Sequence, residues 1–419
     1  MIKKHIFLNN NWLFAMAMWL CSRILITIAM LFIAPFLPAP SNGIAATVDW
    51  DVFYAFDSGY YEKIVTQGYG YSDITQDYSV VFFPLFPLIV KALTTVGLPF
   101  KIAGTLVNNA AFLGSLIVLF SWMNYRYGIE VARWVVAVLA WFPLSLFGTV
   151  IYTEGLYLLL STATLKAFDQ KKYGQTVLWG SMATATRPTG VALILGLLLV
   201  SFMERKEIKA YIASIASGTG LFLYSLYCQI KFGDFLAFVN AQKAWRPSLG
   251  FEWQSWLKIM MQVMIGQFNT KSSYIKDPWH PLLFLSIIVI AYLLWYFRQQ
   301  LGVIKVDYGF FILILLAWLL AGDPLINISI VLGGSYLLWQ LRSQLSSIIL
   351  VYGCCGLGLI FASGGTLSMS RIAYGIVSLS IALGILLSHH YRWGYAAIGF
   401  FAILLITFSV RFAQNLWIA

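Results

Sequence analysis

The sequence predicts an all-α polytopic membrane protein, and three observations predict it. Of 419 residues, 60% are hydrophobic and only 10% charged, where an ordinary soluble domain carries ~25% charged residues. Mean hydropathy is +0.80, and a folded chain of any size leaves much of its surface uncovered, so lipid must serve as solvent. Apolar runs recur along the whole chain between clusters of Lys and Arg, at the ~17–25 residues a helix needs to span a bilayer, which gives about 11–13 transmembrane helices. The chain reads as a single integral-membrane unit over residues 1–419.

The elements follow in order. Lys3 and Lys4 precede an apolar run over 12–36, longer than the ~7–15 residues of a signal-peptide core. It reads as a retained first helix. Cytoplasmic segments are enriched in Lys and Arg, so the N-terminus lies inside and residues 37–81 form a first outer loop. That loop holds Asp49, Asp51, Asp57, Glu62, Asp73 and Asp77 against Lys63. Residues 82–98 are apolar but broken by Pro84, Pro87 and Lys91. A full crossing there would put Arg126 and Arg133 outside, so 82–98 reads as a partly inserted helix returning to the outer face. The helix at 102–124 then crosses inward.

The next segment climbs to Tyr152 and returns to Lys171 and Lys172, and a hairpin turns at Arg187-Pro188 before Arg205, Lys206 and Lys209. The chain exits again by 230 and forms a second large outer loop over 231–278. Further inner clusters stand at Arg298 with Lys305, Arg342 and Arg392. This threading brings Asp57, Tyr152-Thr153-Glu154, Arg187, residues 234–246, Asp323 and 368–371 to one outer face. An ionisable side chain at membrane depth costs ~2.5–3.5 kcal/mol on insertion scales. One water-filled outer cavity would accommodate Glu154, Arg187 and Arg371 together.

Several classes fall away. The net charge of +11 fits anionic lipid headgroups, and no separate basic domain offers a nucleic-acid site. Cys21, Cys228, Cys354 and Cys355 sit in apolar stretches without zinc or disulfide spacing. The four histidines are scattered. Asp49 and Asp51 have DxD spacing in "DWD", a short match, and no obligatory metal or cofactor is expected.

"FDSGYYEKIVTQGY" followed by "VFFPLFPL" resembles the signature of the GPI mannosyltransferase II family and its bacterial relatives. Further blocks agree in order: "FPLSLFGTVIYTEGLYLLLS" (142–161), "ATATRPTG" (183–190), "KFGDFLAFVNAQKAW" (231–245) and "SMSRIAYGI" (368–376). Phe56 replaces the family's Trp and Thr153 its Ser. The resemblance implies a GT-C-type inverting glycosyltransferase. It would move a sugar, mannose in this family, from a polyprenyl- or dolichyl-phosphate donor to a hydroxyl of a glycolipid or glycan acceptor. The work would be done on the periplasmic or lumenal face, in a bacterial inner membrane or, in a eukaryote, the endoplasmic reticulum.

An inverting transfer needs a base for the acceptor proton and cations for the leaving phosphate. By the resemblance Asp57 is the candidate base; otherwise it caps the helix at 58–67. Arg371 and Arg187 are the phosphate candidates, because a guanidinium binds phosphate bidentately. Their competing roles are an interfacial anchor at the start of a helix over 371–388 and an ion pair with Glu154. Glu154 would orient acceptor or arginine. Tyr61, Phe83 and Phe86 would shape the site beside the proline-aromatic run, and Lys243, Trp245 and Arg246 offer stacking and phosphate contact. The rival class is a membrane transporter or lipid flippase. A transporter should repeat its broken helices in two halves, and only one proline-broken hairpin appears.

Overall fold

The computed structural model describes residues 11–72, 74, 76–246, 250–272 and 274–418; Lys3, Lys4 and Asp73 lie outside them. Among these residues the fold is helical, with two isolated β-bridges and no named strand. Five helices are long and apolar enough to cross a membrane: Trp12–Phe36, Phe100–Tyr127, Trp279–Tyr296, Val303–Ala321 and Tyr391–Ala413. Shorter apolar helices fill in between them, including Ser347–Phe361 and Val377–His389. At 1.5 Å per residue these fall short of the ~30 Å hydrocarbon core.

The first ten helices are α1 (Asn11–Ile28), α2 (Asp57–Gln67), α3 (Leu85–Thr95), α4 (Phe100–Tyr127), α5 (Ile129–Trp141), α6 (Glu154–Asp169), α7 (Tyr173–Thr184), α8 (Val191–Met203), α9 (Ile208–Ala216) and α10 (Thr219–Phe232). Helix α6 is the centre. It packs on α4 and α7, while α5 packs on α4 and on Val377–His389. Protein surrounds α6, and two of its buried hydroxyls bond back to the helix's own carbonyls. Thr164 donates to the Leu160 carbonyl at 2.7 Å and Ser161 to that of Leu158 at 3.4 Å.

Between α5 and α6 the chain is not α-helical. Pro143–Gly148 forms a 3-10 segment, which leaves several carbonyls without helical partners. Three side chains from other helices satisfy them. Arg23 of α1 donates to Ser145 O at 2.9 Å and to Thr149 Oγ1 at 2.6 Å. Asn108 of α4 donates to Phe147 O and Val150 O, each at 2.7 Å, and accepts from Gly155 N at 2.8 Å. Asn109 bonds Thr149 O at 2.9 Å. A Cβ at residue 155 would stand 2.4 Å from the Asn108 carbonyl oxygen, so only glycine allows α6 to start this close to α4. These bonds fix where Tyr152 and Glu154 emerge.

Helix α3 has both flanks at the end of the bundle where Glu154 lies. Leu85 N bonds Ala185 O at 3.0 Å, and Lys101, just after α3, pairs with Asp51 of the first loop. Arg126, at the far end of α4, pairs instead with Asp169 at the far end of α6. The last helix returns to the near end, and the chain after it folds back over the first loop. There Gln414 O accepts from Ile44 N at 2.9 Å.

Candidate active site

Asp57 opens α2, but it does not cap it: the capping position is Phe56, whose side chain makes no capping bond. The expected alternative role for Asp57 is therefore not the one it plays. Phe56 stands at φ +53°, a region non-glycine residues seldom enter. Edge contacts with Phe412 at 5.9 Å and Trp417 at 5.2 Å hold its ring. The result turns Asp57 inward. Its carboxylate accepts from Arg371 Nη1 at 2.7 Å, and its amide donates to Tyr152 Oη at 3.3 Å.

Arg371 lies in the short helix Met369–Tyr374. The single helix expected over 371–388 is two pieces, parted at Gly375 and Ile376 before Val377–His389. The break lets Arg371 project sideways into the site. Its guanidinium lies 5.0 Å from the centre of the Tyr152 ring and 5.4 Å from that of Phe147. Its Nε is 3.5 Å from Glu154 Oε1. Burial alone would lower the pKa of Arg371, but the charges of Asp57 and Glu154 outweigh it and hold the pKa above the ordinary value.

Glu154 is 1% exposed. It pairs with Arg187, which follows α7 at the Pro188 turn, and it accepts from Thr153 N at 3.1 Å. Two carboxylates and two arginines thus form one connected group. A buried charge left without a partner is costly, and here each carboxylate stands against at least one arginine.

This group forms the polar end of a cavity of about 840 Å³. Arg246 also lines it, donating to Ser363 O. Burial, and then the like charge of Arg371, push the Arg246 pKa down. Among the described residues no carboxylate pairs with it. The other walls are largely apolar, with Val81, Phe82, Phe83, Val239, Leu359 and Ile360, beside Thr186, Thr189, Gln242 and Ser363. Tyr60 stacks on Phe82 at 4.8 Å, and Trp245 meets Tyr60 edge-on at 5.9 Å.

The structure brings most of the expected residues together and leaves two apart. Asp57, Glu154, Arg187, Arg246, Arg371, Tyr61, Phe83 and Trp245 line the cavity. Phe86 does not: it is fully buried behind Tyr61, whose ring it meets at 5.0 Å. Lys243 is exposed on the outer side of the turn Ala241–Ala244 and is not among the lining residues. Trp417 and Tyr60 line the cavity without having been singled out from sequence. A Tyr-Tyr pair beside Asp57 was the available signal for Tyr60. Nothing in sequence marked Trp417, because its place depends on the terminal fold-back. No group of three metal-ligating side chains occurs among the described residues.

Comparison with solved structures speaks to the fold. The crystal structure of ArnT from Cupriavidus metallidurans bound to undecaprenyl phosphate superposes with a TM-score of 0.52 at 11% identity over 92% of this chain. The chain has the GT-C fold. It spans 62% of the ArnT chain's length. An oligosaccharyltransferase from Archaeoglobus fulgidus, solved with zinc and sulfate, aligns over 96% of this chain and 53% of its own, with a TM-score of 0.44 at 11% identity. No family model matches the sequence, and no curated protein does.

Proposed function

We propose that the chain is an inverting glycosyltransferase, taking mannose from a polyprenyl-phosphate donor and passing it to a hydroxyl of a glycan or glycolipid. The observation that carries this is the 2.7 Å Asp57–Arg371 pair at the polar end of a cavity with largely apolar walls. A lipid-linked sugar phosphate has the same division: an anion and sugar at one end, a hydrocarbon chain at the other. In support, the ArnT structure of the same fold holds undecaprenyl phosphate.

In this reading the cavity faces the periplasm or lumen, in a bacterial inner membrane by the character of the later sequence blocks. The partly inserted segment 82–98 floors it, and the loops 37–81 and 231–278 roof it. The donor phosphate docks on Arg371 and Arg246, with Arg187 held near by Glu154. Arg246 is the cation without a carboxylate, so it can take an anion without breaking an internal pair. Arg371 must share itself with Asp57. A docked phosphate draws on that guanidinium and leaves the Asp57 carboxylate free to receive the acceptor hydroxyl.

The acceptor hydroxyl then attacks the anomeric carbon from the face opposite the phosphate. The bond between the anomeric carbon and the phosphate oxygen breaks, and its electron pair leaves on the phosphate. Asp57 takes the hydroxyl proton. Arginines already aimed at the phosphate stabilise its growing charge without reorganising. Prepositioned donor and acceptor contribute up to ~7–11 kcal/mol.

The test offers the purified protein polyprenyl-phosphate [³H]mannose, the corresponding glucose donor and a nucleotide-linked mannose, each with a crude glycolipid extract as acceptor. Label moving from the polyprenyl-phosphate mannose alone, with inversion at the anomeric carbon, is the expected result. Transfer from the nucleotide sugar would overturn the donor assignment, and retention of configuration would overturn the mechanism.

A further inference from the structure

A second cavity of about 460 Å³ adjoins the first. Trp245, Arg246, Leu367, Ser368 and Trp417 line both, so one layer of side chains separates them. Their chemistry differs. The larger cavity gathers three arginines and two carboxylates against largely apolar walls. The smaller is lined by neutral polar groups, Gln262, Gln267 and Asn327, together with the rings of Trp245 and Trp417. Its one carboxylate, Asp323, is held by Arg411 through two bonds of 2.8 and 2.7 Å.

We infer that this second cavity is the acceptor site, and that it takes a neutral, hydroxyl-rich carbohydrate. The assignment rests on the glycosyltransferase reading above. Amide side chains both donate and accept, as sugar hydroxyls do. A phosphate only accepts. Among the described residues Arg246 is the one cation lining this cavity, it is shared with the first, and Asp323 stands against a second anion. Indole rings offer broad faces with one polar edge, which suits the apolar face of a pyranose. The position suits the reaction as well. Trp417 meets Phe56 edge-on at 5.2 Å, and Asp57 is the next residue. Asp57 itself lines the first cavity, so the two cavities meet close to the candidate base.

The loop between the cavities has the backbone for such a boundary. Gly364 and Gly365 have φ of 77° and 148°, and Ser368 has φ of 54°. Glycine enters this region freely. The loop is tied to the second outer loop, where Gly250 N bonds Ala362 O at 3.1 Å. The two cavities are thus walled by loops that fasten to each other.

The test uses full-length protein in nanodiscs and two readouts. Saturation-transfer NMR follows methyl α-mannopyranoside, methyl β-galactopyranoside and methyl β-glucopyranoside at millimolar concentration, with inorganic phosphate as the anionic probe. Transfer kinetics follow acceptor and donor KM. Gln262→Leu and Asn327→Leu each remove hydrogen-bonding partners, and Gln262→Glu keeps the volume but adds charge. Melting temperatures confirm folding. At least one glycoside should bind wild type and Asp57→Asn alike. Each leucine variant should weaken it about tenfold and raise acceptor KM, with donor KM unchanged. Glycoside binding indifferent to all three substitutions, or none in wild type, would overturn the assignment. So would a rise in donor KM instead. If no donor supports transfer yet glycoside binding falls in the variants, the donor reading fails and the carbohydrate cavity stands.

Discussion

Two buried arginine sites in this molecule solve the same problem in opposite ways. Arg23 is 5% exposed, and no ion pair is formed with it among the described residues. Its guanidinium is spent on Ser145 and Thr149 and lies 4.6 Å from the Phe112 ring centre. Every partner is a fixed dipole in packed protein. Arg371 faces two carboxylates and a large cavity. A charge held by carbonyls and hydroxyls has no reason to move, and it holds a broken backbone together. A charge held by carboxylates beside open space can exchange partners when an anion arrives. The first arrangement stabilises a fold and the second can do chemistry.

The largest expected effect breaks the second site. Arg371→Ala should lower kcat per folded molecule by about 10²–10³-fold, as loss of a charge-stabilising donor does, with some loss of melting temperature because Asp57 and Glu154 lose a counter-charge. Loss of melting temperature with normal turnover would erase the distinction between the two arginines. Arg23→Leu should do the reverse. It strands buried carbonyl and hydroxyl groups, at about 1–3 kcal/mol each. Thermal unfolding in detergent should shift down markedly, with turnover per folded molecule near wild type. Asn108→Ala tests the same scaffold from α4: it strands two carbonyls and one amide, at about 1–3 kcal/mol each, read by the same melt.

The smallest effect sharpens the comparison at the surface. Burial alone would raise the pKa of Asp77, but bonds from Lys63 and Ser79 outweigh it and hold it below the usual value. Lys63 Nζ stands 2.8 Å from the carboxylate. A depressed folded pKa contributes stability above the unfolded value. That contribution is lost as pH falls through the folded one. Acid-stable proteolysis of the loop around 69–79 should therefore accelerate only below about pH 4, and less so in Lys63→Met, which has less to lose.

Much of this was legible in the chain, and the exceptions share a cause. Charge against hydropathy gave the membrane class. The order of motifs pointed to Asp57, Glu154, Arg187 and Arg371, and the threading put them on one face. Three features were not readable. The positive φ at Phe56 is set by Phe412 and Trp417, more than 350 residues away in sequence. The break at Gly375 lies inside a run whose apolar pattern continues through it. The second cavity is walled by 245–246, 364–368 and 417–418, which meet only after the last helix returns. Local pattern reports helices and their polar ends, but it is silent on which distant loop covers which end. Asn108-Asn109 in the apolar α4 was a missed signal, since buried amides need partners.

The most direct test of the central claim is a single-turnover experiment with Asp57→Asn. Donor, prebound to excess enzyme, is mixed with saturating acceptor, and donor affinity is measured separately. The account predicts donor binding within a few-fold of wild type and a transfer step slowed by about 10²–10⁴-fold, the range of a lost general base. Transfer at the wild-type rate, with donor affinity unchanged, would contradict it.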